Sequence, residues 1–267
     1  VDTAGTGGGP TTFNISTAAA LIAAGAGCRV AKHGNRSATS KSGSADVLEA
    51  LGVNIELPPE DVGRCIDGVG FGIMFAPRHH AGPRHAVPVR KELGVRTIFN
   101  MLGPLTNPAG ARRQLLGVSD RTYQETIAEA LVSLGAEHAL VVSGDDGLDE
   151  ISISGPTRVV EVRNGGTEEW FVKPEDFGIA TAPLETVAGG TPAENAAVIR
   201  GVLAEEKGGP ARDVCLLNAG AAIFVAGKAD DLAGGIARAR EAVDSGEAAR
   251  VLERLVEMTR ELGGASG

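Results

Sequence analysis

Short apolar runs alternate with stretches of helical period along most of this chain, and glycine marks many of the joints. That alternation constrains the fold more than any other feature, because strand–helix repetition argues for a single α/β domain around a largely parallel central sheet flanked by helices. An Ala-rich helix is expected from Thr17 to about Ala24, capped by Ser16 or Thr17 and closed at Gly25–Gly27. A short buried strand follows at Cys28–Ala31, then a polar loop from His33 to Gly43, then a helix from Ser44 to Leu51 stopped by Gly52. Pro58-Pro-Glu-Asp opens the next helix, and Phe71–Phe75 reads as a strand. Strands are expected again at Gln114–Val118, His138–Val142 and Thr157–Val162. A helix over 122–134 would place Tyr123, Ile127, Ala130, Leu131 and Leu134 on one face. The stretch from about Asn164 to Gly190 is the least regular, and beyond Pro192 the pattern is helical.

Composition narrows the function. At 267 residues the chain can bury roughly 70–75% of its unfolded surface. A formal charge of −9 argues against a general nucleic-acid binder, and 3% aromatic residues leave no stacking platform for single strands. An anionic ligand must then be held by a local positive site rather than by the field of the whole molecule. No apolar run approaches the ~20 residues needed to span a bilayer. Cys28, Cys65 and Cys215 lie far apart in apolar or helical settings, with no CxxC spacing, and read as reduced core thiols of a cytoplasmic protein.

Four clusters carry chemistry. Gly5-Thr-Gly-Gly-Gly-Pro10, followed by Thr12-Phe-Asn-Ile-Ser-Thr17, offers backbone N–H groups in a turn and a helix N-terminus beyond it, a natural cradle for phosphate or diphosphate. Its spacing matches neither the Walker A nor the dinucleotide fingerprint. Lys32-His-Gly-Asn-Arg36, running through Ser40 to Ser44, follows a strand and supplies positive charge where open α/β sheets bind ligands. Asp145, Asp146, Asp149 and Glu150 form an acidic turn that is either plain solvated surface or, beside a phosphate site, a holder of Mg²⁺. The stretch from Arg78 to Leu93, with His79, His80, Arg84, His85 and Arg90, reads as a basic helical face suited to a carboxylate, and is a poor zinc signal. No arrangement suggests a covalent nucleophile.

Six motifs occur in order: Gly5-Thr-Gly-Gly8, Thr12–Thr17, Lys32–Arg36, Ser42–Gly52, Asn100-Met-Leu-Gly-Pro-Leu-Thr-Asn-Pro108 and Gly147-Leu-Asp-Glu150. Together they closely resemble the anthranilate phosphoribosyltransferase family of tryptophan biosynthesis, over essentially the whole chain. The resemblance implies a fold of the nucleoside phosphorylase/phosphoribosyltransferase type, with a smaller helical domain, and a homodimer. It implies that Gly5, Gly8, Thr12, Asn14, Ser16, Thr17, Lys32, Asn35, Arg36, Ser40 and Ser44 hold 5-phosphoribosyl 1-diphosphate (PRPP). Ser16, Asp149 and Glu150 would bind Mg²⁺, while Gly5, Asn35 and Arg90 would orient anthranilate. His33 is the nearest candidate for a proton-transfer role, and no other catalytic residue is assigned.

Two departures from the family pattern stand out. The family loop reads Gly-Thr-Gly-Gly-Asp with four residues before Thr-Phe-Asn. Here Gly9-Pro-Thr11 makes it three and the Asp is absent, so an altered Mg²⁺ dependence is expected. The chain also begins at Val1, where family members already have helices behind them. Residues 1–267 are therefore expected to form the catalytic α/β domain, with the segment 78–96 packing against an absent N-terminal helical part. Two rival readings are a pyrimidine nucleoside phosphorylase and a transferase-like binding protein without activity. The first would need its own phosphate-loop signature after Lys32-His33, and the second would have lost the metal carboxylates.

Overall fold

The computed structural model describes residues 1–37, 40–79, 98–206 and 208–264. Its strands are β1 (Asp2–Gly5), β2 (Val30–Gly34), β3 (Phe71–Phe75), β4 (Arg113–Gly117), β5 (His138–Gly144), β6 (Thr157–Arg163) and β7 (Gly166–Val172). The principal helices are α1 (Ile15–Gly25), α2 (Ser44–Ala50), α3 (Pro59–Val69), a short α4 (Ala76–His79), α5 (Ile98–Leu105) and α6 (Gln124–Ser133). The C-terminal part adds α7 (Pro192–Leu203), α8 (Pro210–Val225), α9 (Leu232–Asp244) and α10 (Glu247–Gly264). Five strands form one sheet in the order β1-β4-β5-β6-β7, and β2 pairs with β3. The pairs β1/β4, β4/β5 and β2/β3 are parallel, whereas β5/β6 and β6/β7 are antiparallel. The pair β2/β3 lies against β1, joined by the Val1 amino group on Arg29 O at 2.7 Å and the Ala31 amide on Val1 O at 2.9 Å.

The sheet is covered on both faces, which is why β5 is an unbroken apolar run rather than an alternating one. Leu140 and Val142 point into the main core with α1 and α8, and Ala139 and Val141 point into a second core under α6. Helix α1 is buried from Ala18 through Ala24, so its small side chains let neighbouring helices approach on all sides. On α6 the buried face is Gln124, Ile127, Ala128 and Leu131. Tyr123 and Leu134, expected on that face, are exposed, because Tyr123 lies in a 3-10 turn at Arg121–Tyr123 before the helix and Leu134 is the C-cap after it.

Three further departures from the sequence reading have clear physical causes. The strand expected at Cys28–Ala31 begins at Val30, because Cys28 still completes the cap of α1. Its amide bonds Ala23 O and that of Gly27, at φ 85°, bonds Ala24 O. Helix α1 starts at Ile15 after Asn14, and neither Ser16 nor Thr17 caps it. The irregular stretch after Asn164 contains β7, a full strand. Asn164 (φ 54°) and Gly165 (φ 76°) make the two-residue left-handed turn that joins it to β6. Nearly all of β7 is exposed, so no apolar alternation marks it.

Candidate active site

In an open α/β sheet, loops at the carboxyl ends of parallel strands meet where the winding reverses. Here the chain builds β2 and β3 outward from one side of β1 and then crosses to place β4 on the other. The loops that leave β1, β2, β4 and β5 therefore converge, and these carry three of the four clusters singled out above.

The glycine turn leaves β1 at Gly5, with Gly7 at φ 65° and Gly8 at φ 85°, values that side chains rarely adopt. The Gly7 amide donates to Asp149 Oδ2 at 2.7 Å, which brings the acidic turn after β5 onto the glycine turn. Gly5 and Gly117 are register partners on β1 and β4, and Asp149 lies across both. A Cβ on Gly117 would fall 1.7 Å from the Asp149 carbonyl oxygen, so this approach is open only to glycine. A cavity of about 510 Å³ opens beside the turn, between Gly8–Pro10 and Ser119–Arg121.

The four carboxylates of the acidic turn divide by role. Asp145 pairs with Arg121 at 2.5 Å, and Asp146 accepts the hydroxyls of Ser152 and Ser154 and the Leu148 amide. Those two hold the loop, leaving Asp149 and Glu150 for the site. Glu150 accepts the backbone amide of Ser16, so a carboxylate from the turn after β5 caps the N-terminus of α1. Burial pushes the Glu150 carboxyl up to about 8, helped by the Asp149 charge and opposed by Lys32 and the Ser16 amide.

Lys32 is 1% exposed, and its three donors are all engaged. They reach Thr3 O at 2.5 Å, Thr3 Oγ1 at 3.1 Å and Ser16 Oγ at 3.3 Å. Burial lowers its pKa, and the charges of Asp2 and Glu150 oppose that shift. Ser16 is thus fixed at three points: Lys32 on its hydroxyl, Glu150 on its amide and Thr3 Oγ1 on its carbonyl.

Other residues expected in the site are placed as follows. Asn14 exchanges hydrogen bonds with Ser42 and accepts from Asn195 Nδ2 at 2.9 Å, which docks the loop after β2 on the start of α1. Thr12 bridges to Ala188, and Thr17 is fully buried with its hydroxyl unpartnered among the described residues. Asn35 accepts the Arg36 amide, Ser40 pairs with Ser37, and Ser44 opens α2 with its hydroxyl 3.5 Å from Asn35 O. Arg36, read as positive charge for a ligand, is engaged by Asp46 at 3.0 Å and Glu49 at 2.5 and 2.8 Å, and lies over the Phe75 ring. Burial raises the Asp46 carboxyl, but the amides of Ser37 and Gly43 and the Arg36 guanidinium outweigh it and hold the group below its usual range. His33 sets its ring Nδ1 3.2 Å from Gly103 O. Arg90, with His80, Arg84 and His85, lies outside the described residues, as does nearly all of the segment 78–96.

The sequence reading missed Asp2, Asn107 and Asn195. Asp2 is buried beneath β2 and accepts from the His33 amide at 3.1 Å and Asn107 Nδ2 at 2.8 Å. Asn107 also reaches Ala31 O at 2.9 Å, so the Asn100–Pro108 motif ties its segment to the strands behind Lys32 and His33. Asn195 stands on α7, 181 residues from its partner Asn14, and no local signal marks it.

Among the described residues no cluster of three His, Cys, Asp or Glu could hold a metal by itself. The donor set of Asp149, Glu150 and Ser16 is all oxygen and suits Mg²⁺, which binds one or two carboxylates and completes its shell with substrate phosphates and water. Burial and the Asp149 charge make Glu150 hard to ionise, and a divalent cation beside both carboxylates would offset that repulsion.

Known proteins match this chain over nearly its whole length. Residues 1–249 match the glycosyl transferase family a/b domain. Anthranilate phosphoribosyltransferase of Rubrobacter xylanophilus is 57% identical over 99% of this chain and 78% of its own length, and that of Symbiobacterium thermophilum is 57% identical over 98% and 77%. The crystal structure of the Thermus thermophilus enzyme superposes with a TM-score of 0.91 at 52% identity, covering 97% of this chain and 77% of that one. The Saccharomyces cerevisiae enzyme in complex with PRPP and Mg superposes at 0.89 with 31% identity, covering 97% and 73%. The chain belongs to the anthranilate phosphoribosyltransferase family, enzymes that move the phosphoribosyl group of PRPP to the amino group of anthranilate in tryptophan biosynthesis.

Proposed function

We propose that the junction of the β1, β2 and β5 loops is where this chain binds PRPP with Mg²⁺ and passes its phosphoribosyl group to anthranilate, releasing diphosphate. The observation that carries the assignment is the Gly7 amide on Asp149 Oδ2 at 2.7 Å, which joins the glycine turn to the acidic turn. An anion cradle and the carboxylates suited to its counter-cation thus share one surface.

The chemistry asks for little covalent participation. The anomeric carbon parts from diphosphate with oxocarbenium character, so the departing polyanion must be stabilised as charge builds on it. Backbone N–H groups of the glycine turn supply neutral donors, and the N-terminus of α1 adds its partial positive charge. Lys32 supplies a buried cation and holds Ser16 Oγ in place. When bound, Mg²⁺ supplies charge neutralisation for the diphosphate, held by Asp149, Glu150 and Ser16. The attacking nitrogen is an aniline, unprotonated at neutral pH, so the acceptor needs orientation more than a strong base. Proximity then supplies much of the rate. Gly5 and Asn35 are assigned to anthranilate, with Arg90 taking its carboxylate. Arg36 acts on this site through Asp46 and Glu49, by shaping the loop that carries Asn35.

A homodimer is part of the same proposal and is tested by gel filtration. The function is tested by loss of anthranilate fluorescence on adding PRPP and Mg²⁺. Turnover that falls at least tenfold in Glu150→Ala and in Arg90→Ala supports the assignment. Turnover in the unsubstituted protein that neither variant changes refutes it.

A further inference from the structure

Ser119, two residues past the end of β4, belongs to none of the motifs that carry the family resemblance, yet it is committed to the glycine turn. Its hydroxyl donates to Gly7 O at 2.7 Å, and its amide donates to Thr6 Oγ1 at 3.3 Å. From the other side, the Gly7 amide is held by Asp149 at 2.7 Å. Gly7 is therefore gripped at both its N–H and its C=O by loops from two different strands.

The grip matters because the residues on either side of the next peptide are both glycine, at φ 65° and 85°. Without side chains, a Gly–Gly peptide can rotate about its flanking bonds at little steric cost, so its orientation must be imposed from outside. In a planar trans peptide the carbonyl points opposite to the N–H that follows it. A Gly7 carbonyl fixed on Ser119 therefore fixes the Gly8 N–H facing away from the β4 loop. Gly8 is exposed, and its amide donates to no partner among the described residues.

We propose that Ser119 is a positioning residue for the diphosphate of PRPP: its hydroxyl holds the Gly7–Gly8 peptide so that the Gly8 amide is presented to the anion. The proposal rests on the reading of the glycine turn as the diphosphate cradle. It assigns Ser119 to recognition of the donor substrate, because its hydroxyl bears on the Gly7–Gly8 peptide, whereas of the groups assigned to anthranilate Gly5 is held in β1 by its pairing with Gly117, and Asn35 and Arg90 lie on other segments.

The test is titration calorimetry with PRPP in Mg²⁺, and steady-state kinetics for both substrates, on the unsubstituted protein, Ser119→Ala and Ser119→Thr. A hydrogen bond of ordinary net strength predicts that Ser119→Ala raises Kd and KM for PRPP by about 2- to 12-fold. The KM for anthranilate and the thermal midpoint stay near their original values, kcat falls by no more than the same factor, and Ser119→Thr, which keeps the hydroxyl, returns most of the affinity. Unchanged PRPP affinity in Ser119→Ala overturns the proposal. So does a parallel loss in both KM values, kcat and Tm, or a failure to fold in both variants, since each marks a merely structural residue. Absence of PRPP binding by the unsubstituted protein overturns the diphosphate reading itself, which separates that failure from this one.

Discussion

Gly117→Ala adds one methyl group at the point where β4 passes beneath the acidic turn. The new Cβ would fall 1.7 Å from Asp149 O and 2.4 Å from its carbonyl carbon, where real contacts stay beyond 3.0 Å. The loop must retreat by at least about 1.3 Å, since the obstructing atoms are backbone and no rotamer change can relieve them. A shift of that size breaks the 2.7 Å bond between the Gly7 amide and Asp149 Oδ2 and displaces Glu150 from the N-terminus of α1. Overpacking of this kind costs about 1–3 kcal/mol of stability, or a fall of roughly 2–10 °C in Tm for a chain of this length. Misplacement of catalytic groups by about 1 Å costs on the order of 100-fold in rate. Anthranilate fluorescence gives the rate and circular dichroism the midpoint. Gly63→Ala, in the middle of α3 with nothing within 4 Å of the added Cβ, is the control, expected to leave turnover unchanged and Tm equal or slightly higher. A Gly117→Ala enzyme with turnover and Mg²⁺ dependence like those of the unsubstituted protein would refute the reasoning.

Asn195→Ala removes the donor to Asn14 and the acceptor of the Gly190 amide. It should cost about 1–3 kcal/mol in a denaturant titration and weaken PRPP binding by loosening the loop after β2; an unchanged midpoint speaks against both. Burial holds the His138 imidazole below its ordinary 6.5, against the opposing pull of Glu161 at 2.8 Å. Below that value the unfolded chain binds a proton that the folded one does not, so this contribution is fully present above pH 6.5 and falls as pH drops. Tm measured from pH 8 to 5 should decline less in His138→Gln than in the unsubstituted protein, and equal slopes exclude the account. All three cysteines are buried, and burial pushes the thiols of Cys28 and Cys65 up to about 11 and that of Cys215 up as well. Ellman's reagent at pH 8 should titrate them only after denaturation, and rapid reaction of the native protein contradicts their placement.

Period and punctuation made most of the fold legible, because helices such as α2 and α3 end on Gly52 and Gly70 and the buried strands β3 and β5 are continuous apolar runs. What escaped was written in other terms. β7 is an exposed edge strand with charged side chains, so burial leaves no period in it, although Asn164-Gly165 announced its turn. β1 is four residues long and merges into the glycine turn. At the site, the glycine and acidic turns were legible because anion and cation chemistry restrict residue type. The division of the acidic turn was not, since Asp145 and Asp146 differ from Asp149 and Glu150 only in what they meet across the fold. The ion pairs of Arg36 were not legible either, as its partners Asp46 and Glu49 sit on α2, a turn of chain away.

The bond between Gly7 and Asp149 spans 142 positions of sequence. Contacts of such long range close large loops, and the entropy of that closure must be overcome before they form. The proposed site therefore exists only when β1, β4 and β5 are paired in register, and it is lost when β5 loosens. Partly folded chains would carry secondary structure without the ability to seize diphosphate, so ligand capture reports on completed topology.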